Sequence, residues 1–197
     1  MREAFTFDDV LLIPAYNHYE SRQHVELSVT DRSGKLALQL PVMTANMDTV
    51  TESAMANFIG GKGGIGVLHR MMSIDRNVAE FRKCKGPVFV SVGCAEEELE
   101  RAEALRDAGA THFVVDVAHG HARYAGKTLK NLRQLLPDAC LMAGNVATYA
   151  GADYLASVGA DIVKVGIGPG SVCTTRLKTG HGVPPALAEI ECPIVDV

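Results

Sequence analysis

The sequence has no tryptophan, no C-x-x-C cysteine pair and no surplus of basic residues. Its five cysteines are odd in number and scattered, which argues against a disulfide framework and against a structural zinc site. The net charge of -4 does not indicate the excess of positive charge that binding to nucleic acid or an anionic membrane requires. No apolar run approaches the roughly 18 residues that a membrane span needs. We therefore expect neither nucleic acid nor a membrane as a partner.

The amino terminus also lacks the features of a secretory leader. Residues 1–5 include an acid and are not followed by a long apolar segment, so we expect no signal peptide and a cytoplasmic location. Hydrophobic residues make up 47% of the chain and charged residues 21%, a composition that supports a packed core and excludes global disorder.

Short apolar runs alternate with helix-like segments along most of the chain. Continuous apolar runs of four to six residues are typical of strands that are buried on both faces, as strands in parallel sheets usually are. The predicted strands are 41–44, 64–68, 87–92, 112–117, 139–143 and 161–165. Helical spacing predicts helices over 96–108 and 149–158, which end at Gly109 and Gly159. The pattern therefore indicates consecutive βα units.

Serial βα units without the G-x-G-x-x-G fingerprint after the first strand favour a (β/α)8 TIM barrel over a Rossmann sheet. A full barrel needs about 250 residues. We therefore expect the 197 residues to form a single catalytic barrel domain, incomplete at its C-terminal side and supplying the first six or seven βα units. The seventh strand is predicted at 193–195, directly after a helix over 184–192, with no turn between them. We thus expect residues to be missing between Cys192 and Pro193, and after Val197.

One glycine-rich loop carries the clearest chemical signal. It covers residues 164–176, follows a predicted strand, and therefore lies at the C-terminal end of the barrel, where such enzymes place their sites. Cys173 is flanked there by hydroxyl side chains and by Arg176, and a nearby cation lowers a thiol pKa and favours the nucleophilic thiolate. The alternative from spacing alone is a plain βα turn with a buried, inert cysteine.

The loop sequence Gly-Pro-Gly-Ser-Val-Cys-Thr-Thr-Arg, preceded by Gly-Ala-Asp-Ile-Val-Lys-Val-Gly-Ile, resembles the catalytic loop of the IMP dehydrogenase and GMP reductase family. Further segments resemble the same family in the same order and extend the match over nearly the whole chain. These segments are Phe-Asp-Asp-Val-Leu-Leu-Ile-Pro at 7–14, Asn-Met-Asp-Thr-Val at 46–50, Gly-Gly-Ile-Gly-Val-Leu-His-Arg at 63–70, Asp-Val-Ala-His-Gly-His at 116–121 and Ala-Gly-Asn-Val at 143–146.

The resemblance implies a covalent mechanism in which the Cys173 thiolate attacks C2 of a purine nucleotide and Thr175 assists proton transfer. It implies a potassium ion held by the backbone carbonyls of Gly168, Gly170 and Cys173, with Arg176 close by. Oxygen ligands suit such a hard cation. The residues that it places on the nicotinamide cofactor are Asp116, Val117, Ala118, Ile167, Gly168, Arg70 and Met71. Those that it places on the nucleotide are Ser171, Asn145 and Met47. It also implies a homotetramer.

The branch of the family is predicted from smaller features. The CBS domains that dehydrogenases usually insert after the second unit are absent, because Lys83-Cys84-Lys85-Gly86 runs directly into Pro87. Segment 21–27, Asn46 and Lys178-Thr179-Gly180 resemble the reductases, whereas segment 116–121 also suits dehydrogenases. Arg70 departs from the lysine of many reductases. We favour an NADPH-dependent GMP reductase that converts GMP to IMP and ammonia. The alternative is an NAD-dependent IMP dehydrogenase that converts IMP to XMP and lacks the CBS domains either naturally or through an engineered deletion.

Other parts of the family pattern have no match in the chain. The second phosphate-binding region, an Asp-Gly-Gly motif and a mobile flap are absent, so a third possibility is an inactive or partner-dependent half-barrel that binds nucleotides. His69, His119 and His121 lie at strand ends, and we expect structural, hydrogen-bonded roles for them rather than acid–base catalysis. The remaining cysteines, Cys84, Cys94, Cys140 and Cys192, are expected to be packing residues.

Overall fold

The computed structural model describes residues 3–192 of the chain. Two short 3-10 helices, Phe7–Asp9 and Arg22–His24, precede the regular elements. The strands are β1 Val29–Thr30, β2 Ala37–Leu38, β3 Gly66–Leu68, β4 Val88–Val92, β5 His112–Asp116, β6 Cys140–Val146 and β7 Ile162–Val165. The helices are α1 Ser53–Gly60, α2 Ile74–Arg82, α3 Glu97–Asp107, α4 Arg123–Leu135, α5 Tyr149–Ser157, α6 Thr175–Thr179 and α7 Pro185–Glu191.

The main sheet contains five parallel strands in the order β3-β4-β5-β6-β7. Its spatial order is the order of the chain, and helices α2 to α5 each connect one strand to the next. A doubly wound sheet would reverse direction at a switch point, whereas a barrel adds each strand beside the previous one. The α/β barrel prediction is therefore confirmed, with the described residues forming part of the barrel wall.

The two faces of the sheet pack into different cores, because successive strand residues point to opposite sides. The outer face packs against the helices, and its core includes Leu68, Val90, Phe113, Leu141 and Leu155. The inner face forms a second cluster of Leu36, Leu38, Ile65, Val67, Phe89, Val114, Cys140 and Met142. Burial on both sides explains why the strands read as continuous apolar runs.

The first predicted strand, 41–44, is not a strand in the structure. Only Met43 forms a parallel bridge, to Ile65, although Thr44 N–H donates to Ile65 O and Ile65 N–H donates to Val42 O. Pro41 lacks an N–H donor, and within residues 3–192 this segment has a sheet neighbour on one side only. The antiparallel pair β1–β2 was not predicted, because each strand is only two residues long.

The other predicted strands and helices are confirmed to within a few residues. Gly109 and Gly159 have φ angles of 102° and 114°, as glycines that end a helix commonly do. Helix α7 occupies most of the predicted 184–192 segment. The predicted strand at 193–195, and the break expected between Cys192 and Pro193, lie outside the described residues. Across the described part of the chain, no helix is both long and apolar enough to span a bilayer.

A polar cluster secures the amino-terminal ends of β6 and β7. Asp161 accepts hydrogen bonds from Lys35 at 2.9 Å, from Arg133 at 2.6 Å and from the Leu141 N–H at 2.8 Å. Burial alone would raise the pKa of Asp161, but these donors outweigh it and hold the pKa below its usual value. The cluster joins the loop between β1 and β2, helix α4 and the main sheet. It lies at the end of the barrel remote from Cys173.

Candidate active site

The glycine-rich loop after β7 lies at the carboxyl ends of the parallel strands, beside a cleft of about 490 Å³. Segments that follow five different strands or predicted strands contribute to this cleft. Its lining residues are Asn46, Met47, Arg70, Met71, Asp116, Val117, Ala118, Asn145, Lys164, Val165, Gly166, Ile167, Gly168, Pro169, Cys173 and Thr175. All the predicted catalytic and cofactor-binding residues are therefore brought to one cleft, whereas their individual roles stay predictions.

The glycine-rich loop turns at two glycines whose φ angles lie in the left-handed region. Gly166 has a φ angle of 125° and Gly168 one of 76°, conformations that L side chains rarely adopt. A Cβ at Gly168 would also lie 2.9 Å from Cγ of Arg176 and 3.2 Å from Cα of Gly182. The chain therefore turns sharply after β7 and returns towards α6, which places Cys173 at the cleft.

Cys173 and Thr175 are direct neighbours in space. Sγ of Cys173 lies 3.3 Å from Oγ1 of Thr175, at the first residue of α6. Hydrogen bonds from the side chain and backbone of Thr175, the charge of Arg176 and a backbone hydrogen bond from Gly168 together lower the pKa of the Cys173 thiol, and they outweigh the opposing effect of burial. The lowered pKa increases the fraction of nucleophilic thiolate near neutral pH.

The other four cysteines differ from Cys173 because their thiol pKa values are raised rather than lowered. Burial raises the pKa of Cys84 to about 11 and that of Cys140 to about 12, and it also raises the pKa values of Cys94 and Cys192. Cys84, Cys94 and Cys192 pack against the outer core, and Cys140 belongs to the inner one. The packing roles predicted for these four are confirmed.

We expect iodoacetamide to alkylate Cys173 at least about tenfold faster than any other cysteine at neutral pH, because only its pKa is lowered. The rate for Cys173 should reach half its maximum at a lower pH than for an ordinary thiol. Peptide mass spectrometry over a pH series measures both. The control is Thr175→Val, which removes the hydroxyl and should slow Cys173 only. Equal labelling of Cys84 and Cys173 would contradict the assignment.

Asp116 and Asn145 lie at the ends of the adjacent strands β5 and β6. The backbone there is held by hydrogen bonds from Val117 N–H to Gly144 O at 3.0 Å and from Asn145 N–H to Val117 O at 2.8 Å. The Asn145 side chain donates to Gly166 O at 2.8 Å. Asn145 therefore joins the end of β6 to the start of the cysteine loop, a contact that the sequence does not reveal.

The segment after β3 supplies Arg70 and Met71. His69 before them is buried, with Nδ1 accepting from Met71 N–H at 3.1 Å and Nε2 lying 3.3 Å from Oε1 of Glu52. Both ring nitrogens are thus engaged, which confirms the structural role expected of His69. Arg70 Nε is buried without a hydrogen-bond partner, and the guanidinium lies against Gly93.

Three predicted residues lie outside the cleft lining. Gly170, Ser171 and Arg176 belong to the same loop, but all three are exposed and none lines the cleft. Cys173 N–H donates to Gly170 O at 3.1 Å, which closes a tight turn before the thiol. The structure thus brings Gly170 to Cys173 through the backbone and leaves Ser171 facing outward.

Lys164 is the main cleft residue that sequence reasoning missed. It was included in the predicted strand as one residue of an apolar run, although a lysine within such a run is itself an unusual signal. Its Nζ donates to Oδ1 of Asn46 at 2.7 Å, and it lines the cleft.

The potassium residues predicted from the resemblance are compatible with a cation. Gly168 and Gly170 have no side chains to screen their carbonyl oxygens, and oxygen is the ligand that hard cations prefer. The described residues contain no cluster of His, Cys, Asp and Glu side chains suited to a metal ion. The cation ligands that the resemblance implies at this loop are backbone carbonyl oxygens rather than such a cluster.

A family model described as "IMP dehydrogenase / GMP reductase domain" matches residues 4–195. The chain belongs to this family. The crystal structure of inosine 5'-monophosphate dehydrogenase from Legionella pneumophila is 69% identical to it, with a TM-score of 0.93 over 96% of this chain and 59% of that one. The GMP reductase of Vibrio atlanticus is 39% identical over 94% of this chain and 56% of its own length.

Another relative is the inosine-5'-monophosphate dehydrogenase of Borreliella burgdorferi, which is 35% identical over 93% of this chain and 58% of its own length. The chain thus spans little more than half the length of these relatives. Because both names occur among its relatives, family membership leaves the two branches to be weighed separately.

Proposed function

We propose that this chain carries the nucleophilic part of an oxidoreductase that acts on a purine nucleoside monophosphate. The observation that carries the proposal is Cys173, the one cysteine with a lowered pKa, 3.3 Å from Thr175 in a cleft at the carboxyl ends of the strands. Membership of the IMP dehydrogenase / GMP reductase family supports the same chemistry.

In the proposed reaction, the Cys173 thiolate adds to C2 of the purine and Thr175 moves a proton at the reacting centre. With IMP as substrate, C2 would lose a hydride to the oxidised nicotinamide, and water would then hydrolyse the Cys173 thioimidate to release XMP and the free thiol. With GMP as substrate, ammonia would leave from C2, and a hydride from the reduced nicotinamide would then convert the Cys173 thioimidate to IMP and the free thiol. Either path splits one difficult substitution into two steps through a covalent intermediate.

The cleft suits a nicotinamide dinucleotide. Its volume of about 490 Å³ falls in the range of small-molecule sites. The buried, unpartnered Nε of Arg70 is a donor that a ribose or phosphate oxygen would satisfy, and the Asp116 carboxylate can accept from ribose hydroxyls. We propose that these residues, with Met71, Val117, Ala118, Ile167 and Gly168, hold the dinucleotide. When bound, it supplies hydride-transfer chemistry.

For the nucleotide we propose contacts from Met47, Asn145 and Ser171. Met47 and Asn145 line the cleft. Ser171 lies on the exposed part of the loop, where a phosphate oxygen could accept from its hydroxyl.

Between the two branches, we propose IMP dehydrogenase with NAD as the first candidate, because identity to the Legionella enzyme reaches 69% over 96% of this chain. GMP reductase with NADPH, the branch favoured from the sequence, is the second candidate. It is supported by 39% identity to the Vibrio GMP reductase and by the short connection between α2 and β4, which leaves no room for inserted domains.

Parallel assays of the purified protein test the function and the branch together. Absorbance of the reduced nicotinamide should rise with IMP and NAD for a dehydrogenase and fall with GMP and NADPH for a reductase. Liquid chromatography should identify XMP or IMP as the product. If neither reaction proceeds while a nucleotide still binds in calorimetry, the half-barrel binding fragment is supported and catalysis by this chain alone is refuted.

We expect activity to depend on potassium, because a cation on the carbonyls of Gly168, Gly170 and Cys173 would fix the turn that presents the thiol. Replacing potassium by lithium at constant ionic strength should lower kcat at least about tenfold, since a smaller ion fits the same oxygens poorly. Steady-state kinetics measure this, with tetramethylammonium as the inert control. Equal rates in potassium and lithium would refute the site.

We also propose a homotetramer in the cytoplasm. The support for self-association is an exposed apolar segment in which Leu11, Leu12 and Ile13 are 96%, 98% and 91% accessible. Light scattering should give a mass near four chains, and Leu11→Ser/Leu12→Ser should reduce it, with the exposed polar change Lys130→Ser as control. A monodisperse, active monomer would refute the tetramer.

A further inference from the structure

Lys164 is a cation inside the barrel wall, on the last described strand before the cysteine loop. Its neighbours along β7 are apolar, and the residue is half-buried where it lines the cleft. Burying an ammonium group is costly unless it is paired, so its partners must account for its presence. Burial lowers the pKa of Lys164, and the nearby Asp116 carboxylate acts in the opposite direction by favouring the charged form.

The partners of Lys164 come from opposite parts of the cleft. Its Nζ donates to Oδ1 of Asn46 at 2.7 Å, across 118 positions of sequence. Asn46 precedes Met47, which is proposed to contact the nucleotide. Asp116 pairs with Gly144 from the opposite side of β6 to Lys164, lines the same cleft and is proposed to contact the dinucleotide. One side chain thus connects the two halves of the proposed site.

Strands β6 and β7 approach each other closely at Lys164. Gly144 of β6 pairs with Lys164, and a Cβ at Gly144 would lie 2.6 Å from Cβ of Lys164 and 2.6 Å from its carbonyl oxygen. These distances are below any normal contact, so only glycine at 144 lets the two strands pack this closely. Glycine at 144 therefore sets the position of β7, and with it the position of Lys164.

We propose that Lys164 is a positioning residue, which holds Asn46 and Asp116 in register so that the nucleotide and the dinucleotide meet at Cys173. The inference rests on the proposed function for its kinetic consequence, but the contact itself does not. Removing the ammonium leaves the Asn46 carbonyl without its donor and takes a positive charge away from the neighbourhood of Asp116. Because hydrogen bonds to charged groups are stronger than those between neutral groups, we expect their loss to change KM by about tenfold or more.

The test compares Lys164→Met, Lys164→Arg and the exposed-surface control Lys130→Met. Methionine is close to lysine in length and keeps the apolar character of its aliphatic stem, so the fold should survive. We expect Lys164→Met to raise KM for the dinucleotide at least about tenfold with a smaller change in kcat. Lys164→Arg, which keeps the charge and donors, should recover most of the loss. Lys130→Met should match the unaltered chain.

A second measurement does not need turnover. Hydrogen exchange followed by mass spectrometry should show faster exchange in the peptide that contains residues 46–51 in Lys164→Met only, because Asn46 is no longer tethered to β7. Unchanged exchange, or an unchanged KM in an active protein, would overturn the proposal. If the unaltered chain has no activity, the proposed function has failed, and the exchange result alone decides whether Lys164 positions Asn46.

Discussion

Cys173→Ala is expected to reduce turnover on the order of 10⁴-fold or more, because it removes the one thiol among the residues that line the cleft. The neighbouring hydroxyl of Thr175 can move a proton but is a poor nucleophile. Nucleotide binding should persist, since the substitution removes one sulfur atom from a half-buried position. Steady-state kinetics and calorimetry on the same preparation separate these two effects.

Cys84→Ala is the matched control for this variant. Cys84 is also half-buried, but it packs under α2, and burial raises its pKa to about 11. We expect Cys84→Ala to keep near-normal turnover and to lose only modest stability. Loss of activity in both variants would indicate general damage to the barrel, whereas normal activity in Cys173→Ala would remove Cys173 from the mechanism.

Gly144→Ala is expected to destabilise the fold by about 3 kcal/mol, the upper range for forcing an extra methyl group into a packed core. The added Cβ would lie 2.6 Å from the Lys164 carbonyl oxygen, which belongs to the backbone of β7 and cannot rotate away. Strand β7 must then separate from β6, which moves the loop that carries Cys173. For a domain of this size, the melting temperature should fall by roughly 6–12 °C.

Gly60→Ala provides the comparison for Gly144→Ala. Gly60 is the last residue of α1, has no atom within 4 Å of an added Cβ, and should tolerate alanine with little change or a small gain in stability. Thermal unfolding and the alkylation rate of Cys173 should both change for Gly144→Ala and neither for Gly60→Ala. Identical melting curves for the two variants would show that β6 and β7 are less closely packed than described.

The barrel wall was predictable because its strands are buried on two faces and are read directly as apolar runs. The predicted runs at 87–92 and 112–117 match β4 and β5 almost residue for residue. The run at 41–44 failed because hydrogen bonding to a neighbouring strand, which a single segment does not encode, decides whether an extended segment becomes a strand. The two-residue strands β1 and β2 are too short for any periodicity to register.

The site was predictable to the extent that parallel strands bring their carboxyl ends together. This rule, with the family resemblance, placed Asp116, Asn145 and Cys173 at one end of the barrel. The Asn145 contact to Gly166 and the Lys164 contact to Asn46 were not predicted, because each joins segments far apart in sequence. Nor does spacing indicate which loop residues face the cleft, and Ser171 faces away from it.

The agreement between chain order and sheet order has a consequence for synthesis on the ribosome. Each strand from β4 to β7 pairs with the strand that emerged immediately before it, so docking requires no wait for a distant segment. Asp116 and Asn145 are translated before the cysteine loop, and Cys173 reaches the cleft only after β7 has been added. The nascent chain thus acquires the environment of its reactive thiol only after β3 to β7 are available to receive the loop.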